Sequence, residues 1–356
     1  MAEVDILVPT YRRPTALAVT LAGVAAQTFR DFRLVVSDQT EDHPAWERPE
    51  VATVLRILRA GGRPVEVHRN LPRRGMAQQR QFLLDRTRGR ACLFLDDDVF
   101  IEPDLLERLR AVLLEERCGF VGSAPIGASY LSDVRPHEWQ LEVWEGPVLP
   151  ERVEPGTPAW RRHLLHNAAN VAHVAERLGA AKERPIRYKV AWVGGCVLFD
   201  TDALRAAGGF SFWRELPPEG HVGEDVEAQR RVLATAGGCG ILPSGAYHLE
   251  VATTLPERVV DAPLVFSGRA GGYGSDGRSG NAETGPDPPT TSSRPLSARV
   301  RRSARSRSRS GGQRGSNRRS DADRGEEGVG RWEDPISGSR CSEGYPVRDR
   351  HRSGRG

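Results

Sequence analysis

The chain has 356 residues, room for one large domain or two small ones. Its formal charge of +4 is unevenly placed: about 19 arginines against 11 acidic residues from Ser267 onward give that segment about +8 and leave the rest near −4. The basic balance therefore belongs to the C-terminal segment and gives no argument that the preceding residues bind nucleic acid.

In chain order, residues 4–8 read as a short buried strand ending at Pro9. Residues 14–27 read as a helix, with Pro14 in its first turn and Leu17, Leu21 and Val24 on one face. A second strand is expected at 32–36, running into Ser37 and Asp38. A helix follows at 51–60, stopped by Gly61 and Gly62. A third strand at 65–68 and helix at 76–87 come next. A fourth strand at 91–95 leads straight into Asp96, Asp97 and Asp98, and a fourth helix spans 103–116. Strand and helix alternating four times predict an α/β fold: a doubly wound, mostly parallel sheet with helices on both faces. Ligands of such sheets bind at the carboxyl ends of the strands.

Residues 132–187 break the pattern, with Trp139, Trp144 and Trp160 among Pro, Glu and Arg, and one helical stretch at 164–178. They read as an inserted region beside the site. The sheet is expected to resume at 190–193 and again near 240–242. From about Ser267 periodicity is lost, and Arg, Ser and Gly dominate. The domains are therefore read as 1–266, folded, and 267–356, a disordered tail. An Arg-rich, Lys-free tail with an abrupt start is what a shifted reading frame in a GC-rich gene produces. A plain linker and an anion-binding arm are the alternatives.

Cys92, Cys118, Cys196, Cys239 and Cys341 lie far apart with no CxxC pair, which predicts buried free thiols. The N-terminus has no basic stretch followed by an apolar one, and no run approaches a membrane span. The expected location is cytoplasmic, with a peripheral position at the inner membrane face as the alternative.

Four motifs and a lone histidine carry chemistry. An apolar strand delivers Asp96, Asp97 and Asp98 to its carboxyl end, where oxygen ligands suit Mn²⁺ or Mg²⁺. On an extended segment Asp96 and Asp98 would share one side. A solvated acidic turn is the bland alternative. Glu224 and Asp225 open a helix; the helix dipole favours acids there in any case, and the functional reading makes Asp225 a general base. Trp192, Gly194 and Gly195 offer either a close backbone approach for a substrate or an ordinary strand-end turn. Arg80 faces a base or phosphate, or is a solvated helix residue. His248 is either structural or a metal ligand.

Taken in order, these segments resemble the family 2 glycosyltransferases of the GT-A fold over roughly residues 4–261. The blocks are the opening Pro9, Thr10, Tyr11, then Gln27, Thr28, Phe29, then Asp38, the stretch 70–81, the acidic run, 192–210 and Glu224-Asp225. The resemblance implies that Pro9, Thr10, Tyr11, Asp38, Arg80, Asp96 and Asp97 hold a nucleotide-sugar donor. It implies that Trp192, Gly194, Gly195 and Glu224 face the acceptor, and that Asp96, Asp98 and His248 hold Mn²⁺ or Mg²⁺. Asp225 would be the base of an inverting transfer to a glycan, lipid or small-molecule acceptor. Gly75 stands further from Asn70 than the family pattern has it, and Gln79 and Gln81 flank Arg80 where Ala and Asn are expected. The QxxRW motif of processive synthases is missing, as are membrane spans. A nucleotidyltransferase making nucleotide sugars, or a non-catalytic sugar- or nucleic-acid-binding protein, are the alternative readings. The first of these would need a glycine-rich loop after the first strand, where Pro9 to Pro14 supplies none.

Overall fold

The computed structural model describes residues 2–218, 220–254 and 258–267. All of these belong to one compact unit. The Arg/Ser/Gly-rich segment, Cys341 included, lies outside the described residues.

The first half follows the sequence closely. Elements alternate as β1 (Val4–Thr10), α1 (Pro14–Ala25), β2 (Phe32–Asp38), α2 (Pro49–Ala60), β3 (Val65–Arg69), α3 (Met76–Leu84) and β4 (Ala91–Leu95). Then come β5 (Val99–Ile101), α4 (Leu105–Glu116), β6 (Phe120–Gly122), β7 (Ile126–Gly127), α5 (Asn170–Leu178), β8 (Ile186–Tyr188), β9 (Cys196–Asp200) and α6 (Thr201–Ala206). The rest is β10 (His221–Val222), α7 (Glu224–Ala236), β11 (Gly238–Leu242), β12 (Ala246–His248), β13 (Val260–Asp261) and α8 (Ala262–Phe266).

Eight strands form the main sheet in the order β3-β2-β1-β4-β9-β6-β11-β8. The pairs β3-β2, β2-β1, β1-β4 and β6-β11 are parallel. β9 runs antiparallel to both β4 and β6, and β8 antiparallel to β11. The sheet is buried on both faces. Successive side chains of a strand point to opposite faces, so Ile6, Val8, Leu34, Leu93 and Leu95 join one core with α1, α2 and α4. Leu7, Val35, Cys92, Phe94 and Phe199 join a second core with α3, α5 and α7. Such two-sided burial explains why these strands read as continuous apolar runs.

A three-stranded sheet, β5-β12-β7, lies after the acidic run. Its register sets His248 opposite Val99, one residue past Asp98. A short parallel pair, β10-β13, braces the chain just before α7.

Two expectations are corrected. The helix expected at 164–178 is divided: a 3₁₀ helix spans Ala159–His166, and α5 begins at Asn170. Between them Ala168 has φ 53°, and the buried Asn170 amide bonds back to the Leu164 carbonyl and accepts from Trp139 Nε1. No strand forms at 190–193. There the Val193 N–H and C=O bond to the side-chain amide of Gln229 on α7 instead of to a neighbouring strand. Cys92, Cys118, Cys196 and Cys239 are buried free thiols, as expected. Among the described residues no helix is long and apolar enough to cross a membrane.

Candidate active site

The expected site residues gather at the carboxyl ends of β1, β2 and β4 and at the start of α7. At the end of β4 the chain turns immediately: Val99 N–H bonds the Asp96 carbonyl, and Asp96 N–H bonds the Gly195 carbonyl. The acidic run is therefore a turn, and the strand alternation expected of it does not apply. Asp96 faces one way, and Asp97 and Asp98 share the other.

Asp96 is partly exposed and accepts from Arg80 Nη2 at 2.7 Å. Asp97 and Asp98 are buried. Asp97 accepts the Thr10 hydroxyl at 2.6 Å. Arg13 Nη1 lies 2.5 Å from Asp98 Oδ2 and 3.4 Å from Asp97 Oδ1. Burial and the charge of Asp98 push the Asp97 carboxyl up to about 7, against the pull of Thr10 and Arg13. Asp98 is also raised, by burial and by Asp96, while His248 and Arg13 oppose the shift. His248 Nε2 stands 3.6 Å from Asp98 Oδ2. Arg13 was not among the sequence candidates; two consecutive arginines after a strand offered no sign of which one turns inward.

Arg80 is 3% exposed, which overturns the reading of a solvated helix residue. Its Nε donates to Glu224 Oε1 at 2.9 Å while Nη2 holds Asp96. Burial opposes the guanidinium charge, but Asp96, Glu224 and Asp225 together raise its pKa. Arg80 thus ties the end of β4 to the first turn of α7.

Gly223 (φ 73°) turns the chain into α7, and Glu224 and Asp225 occupy its first turn. Glu224 is 2% exposed and spent on Arg80. Asp225 is less covered and lines a small cavity with the polar Arg80 and Gln229 and with Phe94, Val193, Gly195, Val197, Phe199 and Phe210. Burial, then Glu224, push its carboxyl up to about 7, with Arg80 acting against them. A larger cavity, about 160 Å³, lies at the opposite end of the sheet between Glu3, Arg90, Arg110, Arg117 and Asp200. It holds none of the expected site residues, and the chemistry, not the volume, locates the site.

On the expected donor side, Pro9 and Thr10 are buried in β1, and Tyr11 is partly exposed beneath the Arg73 guanidinium, 4.2 Å from the ring centroid. Asp38 is fully buried, and its two oxygens accept the backbone N–H of Thr40 and Ala45 at 2.8 and 2.6 Å. Its carboxylate shapes the loop after β2. The neighbouring amides Gln39, Gln78 and Asn70 bond one another at the ends of β2 and β3.

On the acceptor side, Trp192 is stacked with His163 (4.6 Å, 14°) and contacts Trp160 at 4.5 Å. His163 and Trp160 come from the insertion, which therefore packs against this block. Gly195 has φ 70°, and a Cβ there would meet Val99 Cγ2 at 3.1 Å and Pro125 Cγ at 3.2 Å. A Cβ on Gly194 would meet nothing within 4 Å.

A doubly wound sheet whose strand ends carry an acidic turn, faced by a helix that opens with two carboxylates, sets its polar groups where ligands of α/β sheets bind. Residues 5–168 match the model described as glycosyl transferase family 2. No curated protein matches the chain at a significant level. Solved structures similar to it include S. aureus TarS 1-349, at 15% identity and a TM-score of 0.46, covering 70% of this chain and 60% of that one. Another is the mannosyltransferase PcManGT from Pyrobaculum calidifontis in complex with GDP-Man and Mn²⁺, at 15% identity and 0.43, covering 71% and 59%. The chain thus spans about three fifths of the length of these two structures.

Proposed function

We propose that the chain transfers a sugar from a nucleoside-diphosphate donor to an acceptor hydroxyl, with inversion, and that Asp225 is the general base. The observation that carries this reading is the contrast between two adjacent carboxylates. Glu224 is buried and ion-paired to Arg80; Asp225 lines a mostly apolar cavity beside Arg80, its carboxyl pushed up to about 7. Environments that push neighbouring acids apart mark acid–base assignments, and a base that titrates near neutrality suits proton removal from a hydroxyl.

The donor is proposed to lie over the ends of β1, β2 and β4, its nucleoside beside Pro9, Thr10 and Tyr11, with Asp38 fixing the loop beneath. Asp96 and Asp97 line the diphosphate side. Trp192, Gly194 and Gly195 border the acceptor, which is a glycan, lipid or small molecule. Among the described residues no group of three or more His, Cys, Asp and Glu side chains is placed to hold a metal. The pair Asp98 Oδ2 and His248 Nε2, 3.6 Å apart, fits two positions of a Mn²⁺ or Mg²⁺ ion whose other ligands are diphosphate oxygens and water. Asp96 points toward Arg80 and serves that ion at most through its second oxygen. A bound ion supplies charge neutralisation at the leaving diphosphate.

The test is transfer by the full chain across a panel of nucleotide sugars with Mn²⁺. Asp225→Asn is expected to lower turnover at least ~100-fold, the scale of lost general-base catalysis, with donor binding kept. Product anomeric configuration by NMR reports inversion. Retained turnover in the variant refutes the role of Asp225, and a retained anomer refutes single displacement.

A further inference from the structure

The two proposed metal-facing side chains are both committed to chain segments that do not belong to a metal site. We infer that Arg13, together with residues 249–252, forms a latch that competes with the divalent ion for Asp98 and His248. The inference rests on the reading of Asp98 and His248 as the metal-facing pair.

Three contacts make the latch. Arg13 Nη1 sits on Asp98 Oδ2, the oxygen that faces His248. The same guanidinium reaches across with Nη2 to the Ala252 carbonyl at 2.6 Å, 239 positions away. One cation therefore ties the acidic turn to the segment after β12. The Leu249 N–H closes the segment further on the Asp98 carbonyl at 2.8 Å. Finally, the Glu250 N–H donates to His248 Nδ1 at 2.8 Å. A neutral imidazole that accepts at Nδ1 carries its proton on Nε2. Its Nε2, the nitrogen facing Asp98, then has no lone pair for a metal.

A divalent ion therefore has to displace a guanidinium from Asp98 and shift the His248 proton from Nε2 to Nδ1. That shift breaks the Glu250 bond. Both events loosen the same four residues. Arg13 also keeps a buried Nε without a partner, so its present pose leaves one donor unsatisfied. The latch explains how three adjacent carboxylates remain compatible with a folded site: Arg80 holds Asp96 and Arg13 holds Asp97 and Asp98. When an ion takes over Asp98, Arg13 becomes available to a second anionic group at the same place, the donor's diphosphate. Metal and nucleotide binding should then reinforce each other.

Mn²⁺ binding by the full chain, followed by the EPR signal of the free ion, tests this without measuring turnover. Arg13→Gln is expected to bind Mn²⁺ alone at least tenfold more tightly than the parent. In the parent, UDP or GDP should tighten Mn²⁺ more than in the variant. Arg13→Lys keeps a charge on Asp98 but loses the fork that reaches Ala252, and should fall between the two. As an independent measure on the parent, saturating Mn²⁺ should speed amide hydrogen exchange at Leu249 and Glu250. Equal Mn²⁺ affinity in the parent and both variants, or unchanged exchange at these amides, overturns the latch while leaving the metal reading intact. Lack of Mn²⁺ binding by every protein, with or without nucleotide, overturns the metal reading and the latch together.

Discussion

Asp225 carries a consequence for pH at the scale of single residues. Its folded pKa, near 7, lies above the ordinary carboxyl value of 3.8. A base must be ionised to act, so kcat/KM is expected to rise with pH through about 7 and then level. The same shift works against the fold. Between pH 4 and 7 the unfolded chain has released this proton while the folded chain still holds it. Stability therefore falls as pH rises across that window, and the cost is complete above 7. Asp225→Asn removes the cost, so thermal melts should show the variant gaining on the parent, more at pH 8 than at pH 5. A gain independent of pH would refute the assignment of the shift. Arg80 is the opposite case. It is a buried cation between two carboxylates, and Arg80→Met leaves Glu224 buried and unpaired. Denaturant unfolding should register a loss of about 3–5 kcal/mol, the usual result of removing one partner of a buried pair.

Among the elements, the turn between β4 and β5 and the start of α7 matter most. They are joined by one side chain from α3, so three elements far apart in sequence meet on Arg80. The backbone before β9 is shaped by glycine for a steric reason at one position only. Gly195 has a left-handed φ and a Cβ there would press on Val99 and Pro125, whereas a Cβ on Gly194 meets open space. Gly195→Ala should cost about 1–3 kcal/mol, the range for a strained positive-φ residue. Gly194→Ala should stay within about 0.5 kcal/mol, the range for an open surface position. Equal losses at the two positions would contradict this account. Gly75 is a similar case: its φ is 83°, and a Cβ would run into His221, whose Nε2 accepts the Ala77 N–H at the start of α3.

For the whole molecule, we propose that residues 1–266 are the folded unit and that the Arg-rich segment adds nothing to its stability. The charge discontinuity in the sequence motivates this. A chain ending at Ser267 should then melt within about 2 °C of the full chain, a shift smaller than 1 kcal/mol would cause. A drop of more than about 5 °C would show that the segment beyond it contributes to the fold. Intact mass of the native protein settles separately whether that segment is part of the mature chain.

The alternating elements were legible because both periods are local. Mostly apolar runs ending in polar residues gave β4 to the residue and β1 and β2 to within two, and Leu17, Leu21 and Val24 gave α1 its buried face. That carboxylates follow β4 and open α7 was also legible, since chain order alone puts them there. The 190–193 segment was misread because its apolar pattern is real but its hydrogen bonds go to Gln229, 36 positions on. Tertiary structure alone decided which charge meets which. Arg13 reaches Asp98 across 85 positions and Arg80 reaches Glu224 across 144. It also turned Asp38 inward onto two backbone amides. Within a regular strand or helix local sequence fixes which face a side chain leaves by; in the turns, and for what any side chain meets, only long-range packing decides, since burying a charge is tolerable only beside its partner.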